Sequence, residues 1–206
     1  MVNKLLNQKN IMDSIFGICG KDWVIVASDT AVNRSIFTLK NDEDKIMNLN
    51  SNKVLAASGE PTDRYQFCNY IQKNLQLQAF RTGVELSVEA SAQYMRTELS
   101  EALRRGPYQV NCLIGGFEHS TGEAKLYWMD YFGTLQQVTK GAHGYAGYFV
   151  NSVLDNAFQK DMTLQDGIAA MKKCIVELRT RFIIKQPQFI AKIITKEGIE
   201  VVSLDE

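Results

Sequence analysis

Apolar and polar positions recur with two different periods along this chain, and the changeovers mark its elements. Five short runs come first, at Ile15–Cys19, Trp23–Ser28, Ser35–Leu39, Lys45–Leu49 and Val54–Ser58. Turn residues punctuate them at Gly20-Lys21-Asp22 and Asn50-Ser51-Asn52, so strands are predicted. Two helices should follow. The first begins behind Gly59-Glu60-Pro61, with proline in the first turn, where a missing N–H costs little. It sets Tyr65, Cys68, Ile71 and Leu75 at helical spacing. The second carries Val88, Ala92, Met95, Leu99 and Leu103 on one stripe and is stopped by Gly106-Pro107. Strands return at Val110–Phe117, Ala124–Met129 and Thr134–Val138, with Ser120-Thr121-Gly122 turning between the first two. A helix near Tyr148–Phe158 is followed by a longer one. That one opens on a capping box, Thr163 to Asp166, and presents Leu164, Ile168, Met171, Ile175, Leu178 and Phe182. Phe189–Thr195 and Ile199–Val202 close the pattern as a hairpin around Lys196-Glu197-Gly198.

Blocks of strands separated by pairs of helices argue against an alternating parallel sheet. They favour an α+β fold, with antiparallel sheets stacked face to face and helices on the outside. Covering both faces of each sheet would explain why Val24-Ile25-Val26-Ala27 is apolar without alternation.

Composition narrows the function classes. A chain of 206 residues buries enough surface to fold without disulfides or a structural metal. Lys+Arg and Asp+Glu are equal at 23 each, and the one basic doublet, Arg104-Arg105, falls at a predicted helix end. Nucleic-acid binding, which calls for a basic excess, is therefore not expected. MVNKLLNQKN is too polar for a signal peptide, and no run is long and apolar enough to span a membrane. Cys19, Cys68, Cys112 and Cys174 lie far apart and read as small buried hydrophobes. Cytoplasm and nucleus are the expected compartments. The two histidines lack ligand partners at useful spacing: His119 reads as a loop residue, and His143 as a maker of backbone hydrogen bonds at a tight turn. GAHGYAGYF lacks both nucleotide-loop fingerprints. Neither metal nor cofactor is expected.

Candidate chemistry begins where the second apolar run ends, in Ser28-Asp29-Thr30. A carboxylate there either caps a turn with Thr30 or has a buried cationic partner. Ile25-Val26-Ala27-Ser28-Asp29, then Lys45 in NDEDKI, then Ser58-Gly59 in AASGE resemble the proteasome beta-type subunits. DRYQFCNYIQKNLQL, GPYQVNCLIGGF, YWMDYFGTL and GAHGYAG extend the resemblance from about Asp13 to Val202. It implies the αββα sandwich of the N-terminal nucleophile hydrolases, as a single domain over residues 13–206 behind an extension over residues 1–12. It also implies a large heteromer: a ring of seven different beta subunits, an opposite beta ring and flanking alpha rings.

In active members of that family a threonine at the mature N-terminus is the nucleophile. Its own amine serves as base, a Lys–Asp pair tunes proton transfer, and a glycine N–H stabilises the oxyanion. Counting back from Asp29 by the family spacing places Asp13 at the nucleophile position, and a carboxylate has no hydroxyl to attack with. Ser14 is one residue out of register, and on a strand that turns a side chain to the opposite face. Cys19 has no histidine near it in sequence. Two further departures agree: IIKQPQFIAKI lacks the family's Ser-Gly-Gly type segment, and Ala142-His143-Gly144-Tyr145 replaces its Gly-Ser turn. The resemblance thus implies a non-catalytic subunit in which Asp13, Asp29, Lys45 and Gly59 are vestigial positions. An active peptidase using Ser14 after processing, or Cys19, is the alternative. The aromatic segment Tyr127 to Phe132 either packs alternate members into the core or, like the tail EVVSLDE, supplies contacts with neighbouring subunits.

Overall fold

The computed structural model describes residues 12–34 and 37–204. In chain order its elements are β1 (Ser14–Cys19), β2 (Val24–Asp29), β3 (Val32–Arg34), β4 (Phe37–Lys40), β5 (Ile46–Asn48), β6 (Lys53–Gly59), α1 (Pro61–Thr82), α2 (Val88–Ala102), β7 (Val110–Glu118), β8 (Glu123–Met129), β9 (Leu135–Val138), β10 (Lys140–Gly144), α3 (Ala146–Ala157), α4 (Leu164–Arg181), β11 (Phe189–Thr195) and β12 (Gly198–Ser203). One five-stranded sheet runs β10-β1-β2-β11-β12 and a second runs β5-β6-β7-β8-β9; β3 and β4 form a separate hairpin. All pairings are antiparallel.

Strand alternation sorts the apolar residues into three interior layers. Ile15, Val24, Val26, Val54, Ala56, Leu113 and Leu126 pack between the two sheets. Phe16, Ile18, Ile25 and Ala27 point the other way, onto Val150 and Leu154 of α3 and Met171, Cys174 and Leu178 of α4. On the far side Leu55, Ala57, Cys112 and Ile114 pack against Phe67 and Ile71 of α1 and Ala92, Met95 and Leu99 of α2. The molecule is the expected αββα sandwich, and β1 and β2 are buried along their whole length because both their faces are covered.

Helix ends follow local chemistry. Thr163 and Asp166 form the predicted capping box at α4. Glu60 caps α1 by accepting from the Asp63 N–H, and Ser87 caps α2 by accepting from that of Ala90.

Four details differ from the sequence reading. The short strands β3 and β10 have no signal: VNR and KGAHG lack alternation and β-branched density, and they exist because β4 and β1 offer them hydrogen-bonding edges. On α1 the buried stripe is Arg64, Phe67, Cys68 and Ile71, whereas Tyr65 is 69% exposed. His143 lies within β10, not in a turn; it stacks on Trp128 and donates from Nε2 to the Cys112 carbonyl at 3.0 Å, tying the two sheets together. Of the aromatic segment, Tyr127 and Met129 enter the layer beneath the helices, Trp128 lies between the sheets, and Phe132 is the most exposed. Residues 1–11, Ser35 and Ile36 at the start of a predicted strand, and the last two residues of the tail lie outside the described residues.

Candidate functional site

The N-terminal end of β1, the C-terminal ends of β2 and β6, and the first turn of α1 meet at one end of the sandwich. Backbone pairing carries Asp13, Asp29 and Gly59 there: β1 runs antiparallel to β2 with Ile15 opposite Ser28, and β6 ends with Gly59 opposite Val110. Lys45 arrives from the residue before β5.

The four positions singled out from the sequence converge on one cluster. Lys45 Nζ lies 2.6 Å from Asp13 Oδ1 and 2.9 Å from both oxygens of Asp29, and donates to the Ala31 carbonyl at 2.7 Å. The Gly59 N–H donates to the other Asp13 oxygen at 3.1 Å. Asp29 also accepts the Ser14 N–H at 2.7 Å and the Ala31 N–H at 3.0 Å. Both readings of that carboxylate therefore hold at once. It pairs with the lysine, and it closes a local Asx-type turn, with its acceptor bond two residues on rather than at Thr30. Thr30 instead donates its hydroxyl to the Asn41 carbonyl at 2.7 Å.

Complete burial is the largest influence on Asp29 and pushes its carboxyl up to about 6; Lys45 and the Ser14 N–H pull it down, while the Asp13 charge pushes it further up.

Two glycines are dictated by this end of the fold. Gly59 has φ +151°, and a Cβ there would sit 2.0 Å from the Gln109 carbonyl oxygen. Only glycine can turn its N–H to Asp13 in that space. Gly144, with φ +70°, passes so close to Asp13 that a Cβ would lie 2.1 Å from the Asp13 carbonyl oxygen. The GAHG stretch is thus a close backbone approach to residue 13.

Two members of the site were not foreseen. Arg64 reaches Asp13 Oδ2 at 3.3 Å with one guanidinium nitrogen and Glu43 Oε1 at 3.4 Å with another. It supplies a second cation, so Asp13 and Asp29 face two buried positive groups. Its sequence signal is an arginine in step with Phe67, Cys68 and Ile71, on the core-facing stripe. Gln186 is buried and reaches both neighbours of Asp13: its Nε2 donates to the Met12 carbonyl at 2.9 Å, and its Oε1 accepts from Ser14 Oγ at 3.0 Å. No spacing rule pointed to it, because it lies 174 residues from Met12.

The alternative nucleophiles are placed elsewhere. Ser14 shares the strand parity of Phe16 and Ile18, and its hydroxyl is bonded to Gln186 rather than to Lys45. Burial pushes the Cys19 thiol up to about 12, so it is not a thiolate at neutral pH. Among the described residues no group of three or more His, Cys, Asp and Glu could hold a metal ion.

A sandwich of this topology, with an acid–lysine–glycine cluster at the start of its first inner strand, defines a class: the chain belongs to the proteasome subunit family, whose model matches residues 12–194. Within that family it is of the beta type. It is 48% identical to proteasome subunit beta type-2-B of Arabidopsis thaliana over 187 residues, which cover 91% of this chain and 94% of the relative. It is 42% identical to proteasome subunit beta type-4 of Saccharomyces cerevisiae over 192 residues, covering 93% and 97%. Proteasome subunit beta type-2 of Dictyostelium discoideum is 38% identical over 192 residues, covering 92% and 96%.

Proposed function

We propose that this chain is a non-catalytic, structural beta subunit of the 20S proteasome core particle. It occupies one place in a seven-membered beta ring, faces the opposite beta ring and an alpha ring, and forms part of the wall that confines unfolded substrates during ubiquitin-dependent and other intracellular protein degradation, in cytoplasm and nucleus. The observation that carries this reading is the group at the nucleophile position. Asp13 presents a carboxylate to Lys45 at 2.6 Å, where nucleophilic attack requires a hydroxyl, and its backbone continues to Met12, whose carbonyl is held by Gln186. The Ser14 hydroxyl, an alcohol at this end of β1, is bonded to Gln186 and not to Lys45.

An electrophilic peptide probe for N-terminal nucleophiles, applied to the assembled particle and read by intact mass of each subunit, tests the reading. Active partners should gain the adduct while this chain keeps residues 1–12 and gains none. Loss of residues 1–13 with an adduct on Ser14 would establish the peptidase alternative instead.

A further inference from the structure

Beyond lacking a nucleophile, the cluster contains a receptor. Lys45 Nζ, the Gly59 N–H and the Arg64 guanidinium converge on one carboxylate from 2.6, 3.1 and 3.3 Å. The side chains of Lys45 and Arg64 are 0% and 8% exposed. Each donor is held by contacts that do not involve residue 13. Lys45 is anchored by Asp29 and the Ala31 carbonyl, Arg64 by Glu43, and the Gly59 N–H by the β6–β7 register and the crowding that excludes a Cβ. The cradle is therefore preorganised, and its pattern of converging donors is that of an oxyanion site.

We infer that Lys45, Gly59 and Arg64 form an intact binding site for a small carboxylate, and that the chain's own Asp13 is its permanent occupant. The flanking bonds keep that occupant in place: Gln186 grips Met12 and Ser14, and Gly144 lies against the Asp13 carbonyl. A tethered carboxylate competes at high effective concentration. Asp13 thus bars an external carboxylate, or the oxyanion of a peptide, from the cradle. The inference rests on the reading of residue 13 given above. A probe-labelled Ser14 would remove that reading, whereas the test below can fail while this chain remains non-catalytic.

Removing the occupant should expose the site. The full chain carrying Asp13→Gly is melted in sodium formate and, at equal ionic strength, in sodium chloride. Formate should raise the midpoint saturably, by roughly 3–6 °C at ten times its dissociation constant, and should leave the wild type unchanged. No formate-specific rise, or the same rise with chloride or in the wild type, overturns the assignment. If Asp13→Gly does not fold, the near-isosteric Asp13→Asn serves in a double-mutant cycle with Arg64→Met. The arginine substitution should lower the midpoint strongly beside Asp13 and little beside Asn, and equal losses in both backgrounds overturn the inference.

Discussion

Lys45 is the residue on which the site turns. Among the described residues it is the one cation shared by Asp13 and Asp29, so its removal leaves two buried carboxylates with Arg64 reaching only the first. Lys45→Met should therefore destabilise the full chain by about 3–5 kcal/mol at pH 7, the range for stripping one partner from a buried pair. Asp29→Asn should be milder, about 1–3 kcal/mol, because Asp13 still compensates the lysine and the amide oxygen can still accept one backbone N–H. Denaturant unfolding of the two variants checks the order; equal losses would mean that Asp13 does not share the lysine. From sequence alone a two-membered Asp29–Lys45 pair was the expected arrangement. Asp13 joining it, and Arg64 completing it, depended on side chains brought together across 32 and 51 residues.

At the scale of elements, β10 joins the site to the rest of the sandwich. Its Gly144 abuts Asp13, and its His143 crosses to β7 between the sheets. Burial depresses the His143 imidazole to about 4. The unfolded chain therefore takes up a proton near 6.5 that the fold refuses, and stability is lost as pH falls from about 6.5 to 4, on the order of 3 kcal/mol. Asp29 acts with the opposite sign. Its folded value of about 6 lies above the unfolded carboxyl value of 3.8, so the native state holds a proton that the unfolded chain has released, and stability is lost as pH rises from about 4 to 6. The two slopes largely cancel in the wild type. His143→Gln keeps a donor for the Cys112 carbonyl but cannot titrate. Its midpoint should rise, relative to wild type, as pH is lowered from 6.5 to 4, and a thermal-melt series across that range would show parallel curves if His143 were not buried neutral. β10 itself was illegible beforehand: a glycine-rich polar stretch becomes a strand only because β1 has a free edge beside it.

For the whole molecule, the outer surface carries large apolar side chains on several elements: Phe37 on β4, Phe80 on α1, Tyr148 on α3, Val176 on α4, and Ile183 behind it, 92% exposed. Apolar side chains exposed on several elements suit a subunit with several neighbours. Purified from its cell, the chain should elute in a particle far larger than its own 23.3 kDa. Ile183→Glu should leave the fold unchanged by circular dichroism while lowering the share of chain recovered in that particle; full recovery would remove Ile183 from the contact set. The aromatic segment Tyr127–Phe132 is mostly interior and offers Phe132 alone as a well-exposed ring.

Local pattern was enough for the order of the helices and of the strands other than β3 and β10, the proline start of α1, the capping box at Thr163, the stripe of α2 and the two-sided burial of β2. Each of these depends on neighbours within a few residues or on the simple requirement that apolar faces be covered. That Asp13, Asp29, Lys45 and Gly59 are positions of one site was also readable, through the resemblance to proteasome beta-type subunits. Tertiary structure alone decided that Asp13 meets Lys45 and the Gly59 N–H together, that Arg64 joins them and that Gln186 pins its two neighbours. Burying a carboxylate demands partners from wherever the fold can supply them, and no local rule specifies which distant side chains will arrive.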